Sequence, residues 1–142
     1  MARDEKLAHL GRVPLFSRMP QRELQRIGQL ADEVTVDAGQ RLATKGRIGH
    51  EFFVVMDGQV AVTDGARTLD TLGPGGFFGE IALLDGRRRT ATVRATEPTR
   101  LLVLAHREFH ALMDEFPSVR AAVLGAVGER LRRLEDRASG SR

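Results

Sequence analysis

The chain has no cysteine, no tryptophan and no tyrosine in 142 residues. Without cysteine there is no disulfide framework and no thiolate metal site. Long apolar runs are also missing. The longest, such as Leu101 to Ala105, fall far short of the ~20 residues that span a bilayer. The opening Met-Ala-Arg-Asp-Glu-Lys carries acidic residues and no apolar core, so it does not read as a secretory signal. These absences together favour the cytoplasm. A charge of one sign is lacking too. The 22 basic and 19 acidic residues are interspersed and leave a formal charge of +3, which bears on solubility more than on the choice of partner. There is no internal repeat and no low-complexity tract.

The length suits one domain, in which folding buries roughly two-thirds of the unfolded surface. Residues 4–12 and 20–31 read as two helices. In the second, Pro20 fits the first helical position, and Leu24, Ile27, Leu30 and Ala31 share a face. From residue 34 to 104 the pattern changes to short β-rich pieces: 34–36, 40–44, 52–56, 59–63, 68–72, 91–95 and 100–104. Turn formers separate them, among them Asp57-Gly, Asp64-Gly and Gly73-Pro-Gly-Gly. Such spacing predicts a jelly roll, two sheets closing over one core. A helical period then returns over 106–136, as a helix at 108–115 and a longer one opened by Pro117. The apolar seam of that longer helix is read as Leu124, Val127, Leu131 and Leu134. Residues 138–142 read as a flexible tail. The fold class is therefore mainly β with flanking α-helices.

Within the β-region, Phe78-Gly-Glu-Ile-Ala-Leu-Leu84 has good helix formers and no alternation, and reads as a single inserted helical turn. The first N–H groups of a helix have no internal partner and favour an anion. Gly79 removes the Cβ that would keep an anion away from the backbone. Arg89, on the next loop, can offer a planar fork to two anionic oxygens. Glu80 can accept a hydrogen bond from a sugar hydroxyl. Donors, a cation and an acceptor are what the phosphate and ribose of a cyclic nucleotide require.

Residues 78–95, Phe-Gly-Glu-Ile-Ala-Leu-Leu followed by Arg89-Thr-Ala-Thr-Val, resemble the phosphate-binding cassette of cyclic-nucleotide-binding domains, and the glycines at 46, 58 and 75 fall in turns where that family places glycine. The likeness covers nearly the whole chain, as one domain over 1–137. It implies a β-roll that binds cAMP or cGMP, with no further cofactor, no metal and no catalysis. Carried over by resemblance, the ribose contact falls on Glu80, the phosphate ion pair on Arg89, and the backbone phosphate donors on Gly79, Ile81, Ala82 and Ala91. Thr90 would reach the phosphate or the purine, Val62 and Leu69 would wall the base, and Arg130 on the last helix matches an arginine of the catabolite activator family. Arg88 stands where the family commonly has proline, which leaves Arg87, Arg88 and Arg89 competing for the phosphate; the spacing to Thr90-Ala-Thr favours Arg89. The resemblance implies a regulatory sensor that repositions its last helix, with a homodimer or an effector protein reached through that helix. No helix-turn-helix follows, so direct DNA binding is not expected. The chain reads either as a stand-alone regulatory subunit or as a piece of a larger protein.

Other readings carry less. The Arg87-Arg-Arg run has no aromatic neighbours for base stacking and reads as a solvated loop. His106 and His110 have i, i+4 spacing but lack the glutamate of His-Glu-x-x-His and a third ligand. His50 stands alone on the strands, against a cupin-type metal site. The remaining alternative is the same fold kept as a ligand-free interaction module.

Overall fold

The computed structural model describes residues 2–79 and 88–140. Helices α1 (Ala2–Arg12) and α2 (Gln21–Leu30) come first. Pro20 precedes the first helical residue rather than occupying it: with φ at −59° it is the N-cap of α2. Its carbonyl accepts from the Glu23 and Leu24 amides at 3.0 and 3.1 Å, so it starts the helical ladder without needing an N–H of its own.

Strands β1 (Asp32–Val36), β2 (Arg41–Ala43), β3 (Glu51–Asp57), β4 (Val60–Asp64), β5 (Arg67–Leu72), β6 (Phe77–Phe78), β7 (Thr92–Ala95) and β8 (Thr99–Ala105) follow. They form two four-stranded sheets in the orders β1-β8-β3-β6 and β2-β7-β4-β5, with every pairing antiparallel. Each strand read from the sequence is present with its ends shifted by a residue or two. β6 was not expected. Phe78 therefore closes a strand instead of opening a helical turn, and residues 80–84 of that turn, Glu80, Ile81 and Ala82 included, lie outside the described residues.

Why the sheets close is visible in β3, where five consecutive residues, Phe52 to Met56, are all buried. Side chains alternate across a strand. Phe53 and Val55 enter a cluster between the sheets with Val36, Val60, Phe78, Val93 and Leu101. Phe52, Val54 and Met56 enter a second cluster, with Leu10, Ile27, Phe109, Leu112 and Val123 from the helices. The first sheet is thus apolar on both faces. Its central strands read as continuous hydrophobic runs because one face lines the roll and the other carries the helical layer.

That layer is completed by α3 (His106–Glu115) and α4 (Pro117–Gly140). The seam expected on α4 holds at Val127, which packs on the helical-layer cluster, and not at Leu124. Leu124 is 52% exposed, whereas Val119 and Val123 are buried and Ala122, Ala126 and Val127 pack beside them. The two small alanines let the helix approach closely, which sets the buried face around Val123 instead of one residue further round. Leu131 and Leu134 have no described side-chain surroundings. The helix also passes Asp136 and takes in residues 138–140 of the expected tail; no proline interrupts it, and extending a formed helix adds one hydrogen bond per residue fixed. Glu23 of α2, buried, accepts a hydrogen bond from Ser118 Oγ at the start of α4, tying the first helices to the last.

Candidate functional site

Three segments converge on Arg89. The first is β6, brought to β3 by the pairing of Phe78 with Phe53, whose rings stack at 4.6 Å between the sheets. The chain then leaves β6 at Gly79. The second is the loop before β3, which runs antiparallel to residues 88–92. The Arg89 amide donates to the Arg47 carbonyl at 2.7 Å, and the Arg89 carbonyl accepts from the Gly46 amide at 2.8 Å. Ile48 bridges to Arg88, and the Lys45 amide donates to Thr92 Oγ1 at 3.1 Å. The third is the segment 88–91 itself, which feeds β7.

Pinned in this way, consecutive side chains leave an extended backbone on opposite sides. Arg88 is exposed and its Nη1 donates to the Gly46 carbonyl at 2.8 Å, while Arg89 is buried at 9% relative exposure. Of the two described arginines, Arg89 alone points inward; Arg87 lies outside the described residues.

The Arg89 guanidinium rests between two glycine backbones. Its Nη2 donates to the Glu51 carbonyl at 2.7 Å. A Cβ on Gly79 would stand 2.7 Å from its Nη1 and 2.6 Å from that same carbonyl oxygen, and Gly79 has φ +99°, which disfavours any residue with a side chain. A Cβ on Gly49 would lie 2.5 Å from Nη2 and closer still to Nε and Cζ. Gly49 is not required by a turn; the space where its side chain would be is filled by the arginine. A guanidinium keeps its charge at any ordinary pH, and burying a charge costs several kcal/mol unless it is paired and hydrogen-bonded. An anion meeting this head group gains charge-assisted, planar hydrogen bonds in a place partly withdrawn from water.

The remaining expected residues lie on the second sheet and on α4. Thr90 is exposed and Ala91 half-buried in the bend before β7. Val62 of β4 pairs with Val93 of β7 and packs on the inner cluster. Across β4–β5 the register shifts between Val62 and Thr63, so that half-buried Leu69 falls between Thr68, which faces Thr63, and Asp70, which faces Val62. A bulge of this kind re-aims side chains at a site rim. Gly79 and Arg89 are therefore in contact, Val62 and Leu69 are neighbours on adjacent strands, and Ala91 sits two residues before the partner of Val62. Arg130 of α4 reaches the strand that leads into Gly79: its Nη2 donates to the Phe77 carbonyl at 2.8 Å and its guanidinium covers the Phe77 ring at 4.5 Å.

Gly49, the Glu51 carbonyl and Phe77 escaped the sequence reading. Ile48-Gly49-His50 carries no turn signature, and a carbonyl has no residue type. His106 and His110 place their rings 4.5 Å apart, yet among the described residues no group of three or more His, Cys, Asp or Glu could hold a metal ion. No helix among them is long and apolar enough to cross a membrane.

A two-sheet roll that holds a buried cation against glycine backbones, with half-buried apolar Val62 and Leu69 on its second sheet, suits a small anionic ligand with an apolar part. Residues 33–116 match the cyclic nucleotide-binding domain family. Over 118 residues the chain is 33% identical to the cyclic nucleotide-gated potassium channel RHE_CH03180 of Rhizobium etli, a match covering 83% of this chain and 33% of the channel. Among solved structures, the catabolite activator protein of Thermus thermophilus superposes with a TM-score of 0.81 at 30% identity, over 89% of this chain and 62% of that one. The regulatory domain of Toxoplasma gondii PKA, co-crystallised with cAMP, superposes with a TM-score of 0.69 at 27% identity, over 78% of this chain and 44% of that one. The chain belongs to the cyclic nucleotide-binding domain family. It spans a third or less of the length of the curated relatives it matches first.

Proposed function

We propose that the chain binds a 3',5'-cyclic nucleotide in its β-roll as a non-enzymatic regulatory sensor, with cAMP the favoured ligand and cGMP its competitor, and that it works in the cytoplasm. The observation that carries this reading is the buried Arg89 guanidinium against the backbones of Gly49 and Gly79. In the proposed complex Arg89 pairs with the cyclic phosphate, and the backbone amides of Gly79, Ile81, Ala82 and Ala91 complete the phosphate contacts. Glu80 accepts from the ribose hydroxyl, Val62 and Leu69 pack on the base, and Thr90 reaches the phosphate or the purine. The cAMP in the Toxoplasma gondii regulatory domain supports the choice of ligand class.

Signal output follows from linkage. A nucleotide that binds better when α4 is packed in one position than in another shifts the population of those positions by that difference in affinity, and by no more. The effector, or a second copy of the chain, would be engaged through α4.

Titration calorimetry with cAMP and cGMP tests the reading. Binding of at least one nucleotide is expected, and Arg89→Lys should weaken it by about 2 kcal/mol or more, roughly 30-fold, because an ammonium cannot reproduce a two-point planar contact. No heat and no thermal shift with either nucleotide would refute it and leave a ligand-free interaction module.

A further inference from the structure

We infer that Arg130 is a positioning residue that couples α4 to the nucleotide site through Phe77, instead of touching the base. This rests on the binding reading above. Arg130 donates Nη2 to the Phe77 carbonyl at 2.8 Å and lays its guanidinium over the Phe77 ring at 4.5 Å, so one side chain of α4 grips both the backbone and the ring of one residue in β6. That ring also packs on Phe52 of β3, with centroids 5.9 Å apart. The following residue, Phe78, stacks on Phe53 inside the roll, and the residue after that is Gly79, whose backbone lies against Arg89. A path of adjoining groups thus runs from α4 to the phosphate-holding arginine: Arg130, Phe77, Phe78, Gly79, Arg89.

The grip falls on the strand least able to hold itself. β6 has two residues and, among the described residues, pairs with β3 alone, at Phe53–Phe78 and Val54–Phe77. Elsewhere α4 meets the sheet through apolar packing of Val119, Val123 and Val127, which tolerates sliding. The Arg130 contact is directional, since a hydrogen bond to a carbonyl and a guanidinium stacked on a ring are both lost after a displacement of an ångström or two. Gly79 is held where Arg89 needs it when α4 is docked, and is less constrained when α4 moves. Ligand binding at Arg89 and docking of α4 then favour each other, as linkage requires. Because the coupling acts on the phosphate end, it carries no information about the base.

The test is to titrate cAMP and cGMP into the wild type, Arg130→Ala, Phe77→Leu and the double variant, with amide hydrogen exchange at Phe78 and Gly79 followed in the nucleotide-free proteins. Arg130→Ala should weaken both nucleotides by the same factor, about tenfold, the scale of one charged hydrogen bond with a cation–π contact. It should also speed exchange at Phe78 and Gly79. Phe77→Leu should act in the same direction, and the double variant should be no weaker than the weaker single. Arg130→Lys, which keeps the charge over the ring but loses the fork, should fall between wild type and Arg130→Ala. The inference is overturned if Arg130→Ala changes the ratio of cAMP to cGMP affinity, which marks a base contact, or if it leaves both affinities unchanged. It is also overturned if the two single effects multiply. Should Phe77→Leu fail to fold, the Arg130 variants decide by the ratio and the exchange rates. Failure of the wild type to bind either nucleotide removes the binding reading and this inference together; a wild type that binds beside an unaffected Arg130→Ala removes this inference alone.

Discussion

Replacing Gly49 by alanine should cost much more in ligand affinity than in stability. The three atoms that the added Cβ meets first all belong to the head group of Arg89. A head group at the end of a flexible side chain can swing away, where a backbone cannot. The protein then loses the bond from Arg89 to the Glu51 carbonyl, about 1.5–3 kcal/mol for a charged donor, and recovers part of it as the guanidinium regains water. A net loss of about 1 kcal/mol, or roughly 3 °C in Tm, is expected. In the proposed complex the phosphate would lose its cation, which at about 2–3 kcal/mol would weaken the nucleotide roughly 30- to 150-fold. Gly79→Ala makes the contrast. There the added atom meets the Glu51 carbonyl at 2.6 Å and the backbone sits at φ +99°, so no side-chain movement relieves it. Strain and overpacking together should cost about 3 kcal/mol, roughly 10 °C. Calorimetry with cAMP and thermal unfolding monitored by circular dichroism read the two quantities separately. If Gly49→Ala binds cAMP as the wild type does, the guanidinium is not where the phosphate is held. If it unfolds as early as Gly79→Ala, the head group is too rigidly held to yield.

Three further outcomes can be checked. Thr90, exposed at the bend before β7, should alter the cGMP to cAMP affinity ratio when changed to alanine, with little change in Tm; an unchanged ratio would limit it to the phosphate or to solvent. Val123→Asp places a carboxylate where the side chain is 1% exposed and should leave the chain unfolded or destabilised by more than about 4 kcal/mol, as seen in urea titration. Leu124→Asp, one residue on and 52% exposed, should stay within about 0.5 kcal/mol of wild type; a large loss there would restore the seam first read on α4.

Where the sequence spoke clearly, a local signal and the tertiary structure agreed. Strands β1 to β5, β7 and β8 have side-chain patterns and turn residues of their own, and the Phe52–Met56 run announces a strand buried on two sides. β6 escaped because two residues cannot show alternation and because its existence depends on pairing with Phe53 and Val54. On α4, Val127 packs as its spacing predicts, but large apolar residues alone put Leu124 on the docked side, which is partly built from Ala122 and Ala126 instead. At the site, Arg89 was legible from its neighbours, but the reason that it is buried and Arg88 exposed lies in the pairing of residues 46–48 with 88–89, a contact across some forty positions. Gly49 could be found only from the space it leaves.

Strand β3 acts as a partition wall, with the core between the sheets packed on Phe53 and Val55 on one side and the helical layer seated on Phe52, Val54 and Met56 on the other. Insertion or deletion of a single residue within it would exchange the two sets of side chains, presenting the helix-facing set to the core between the sheets and the core set to the helices. Length variation should therefore be excluded from this stretch even where the side chains themselves are interchangeable, and any change of volume on one side is transmitted to the other. The core between the sheets and the helical layer share one piece of backbone, so this domain cannot repack the inside of its roll without also shifting the seat of its helices.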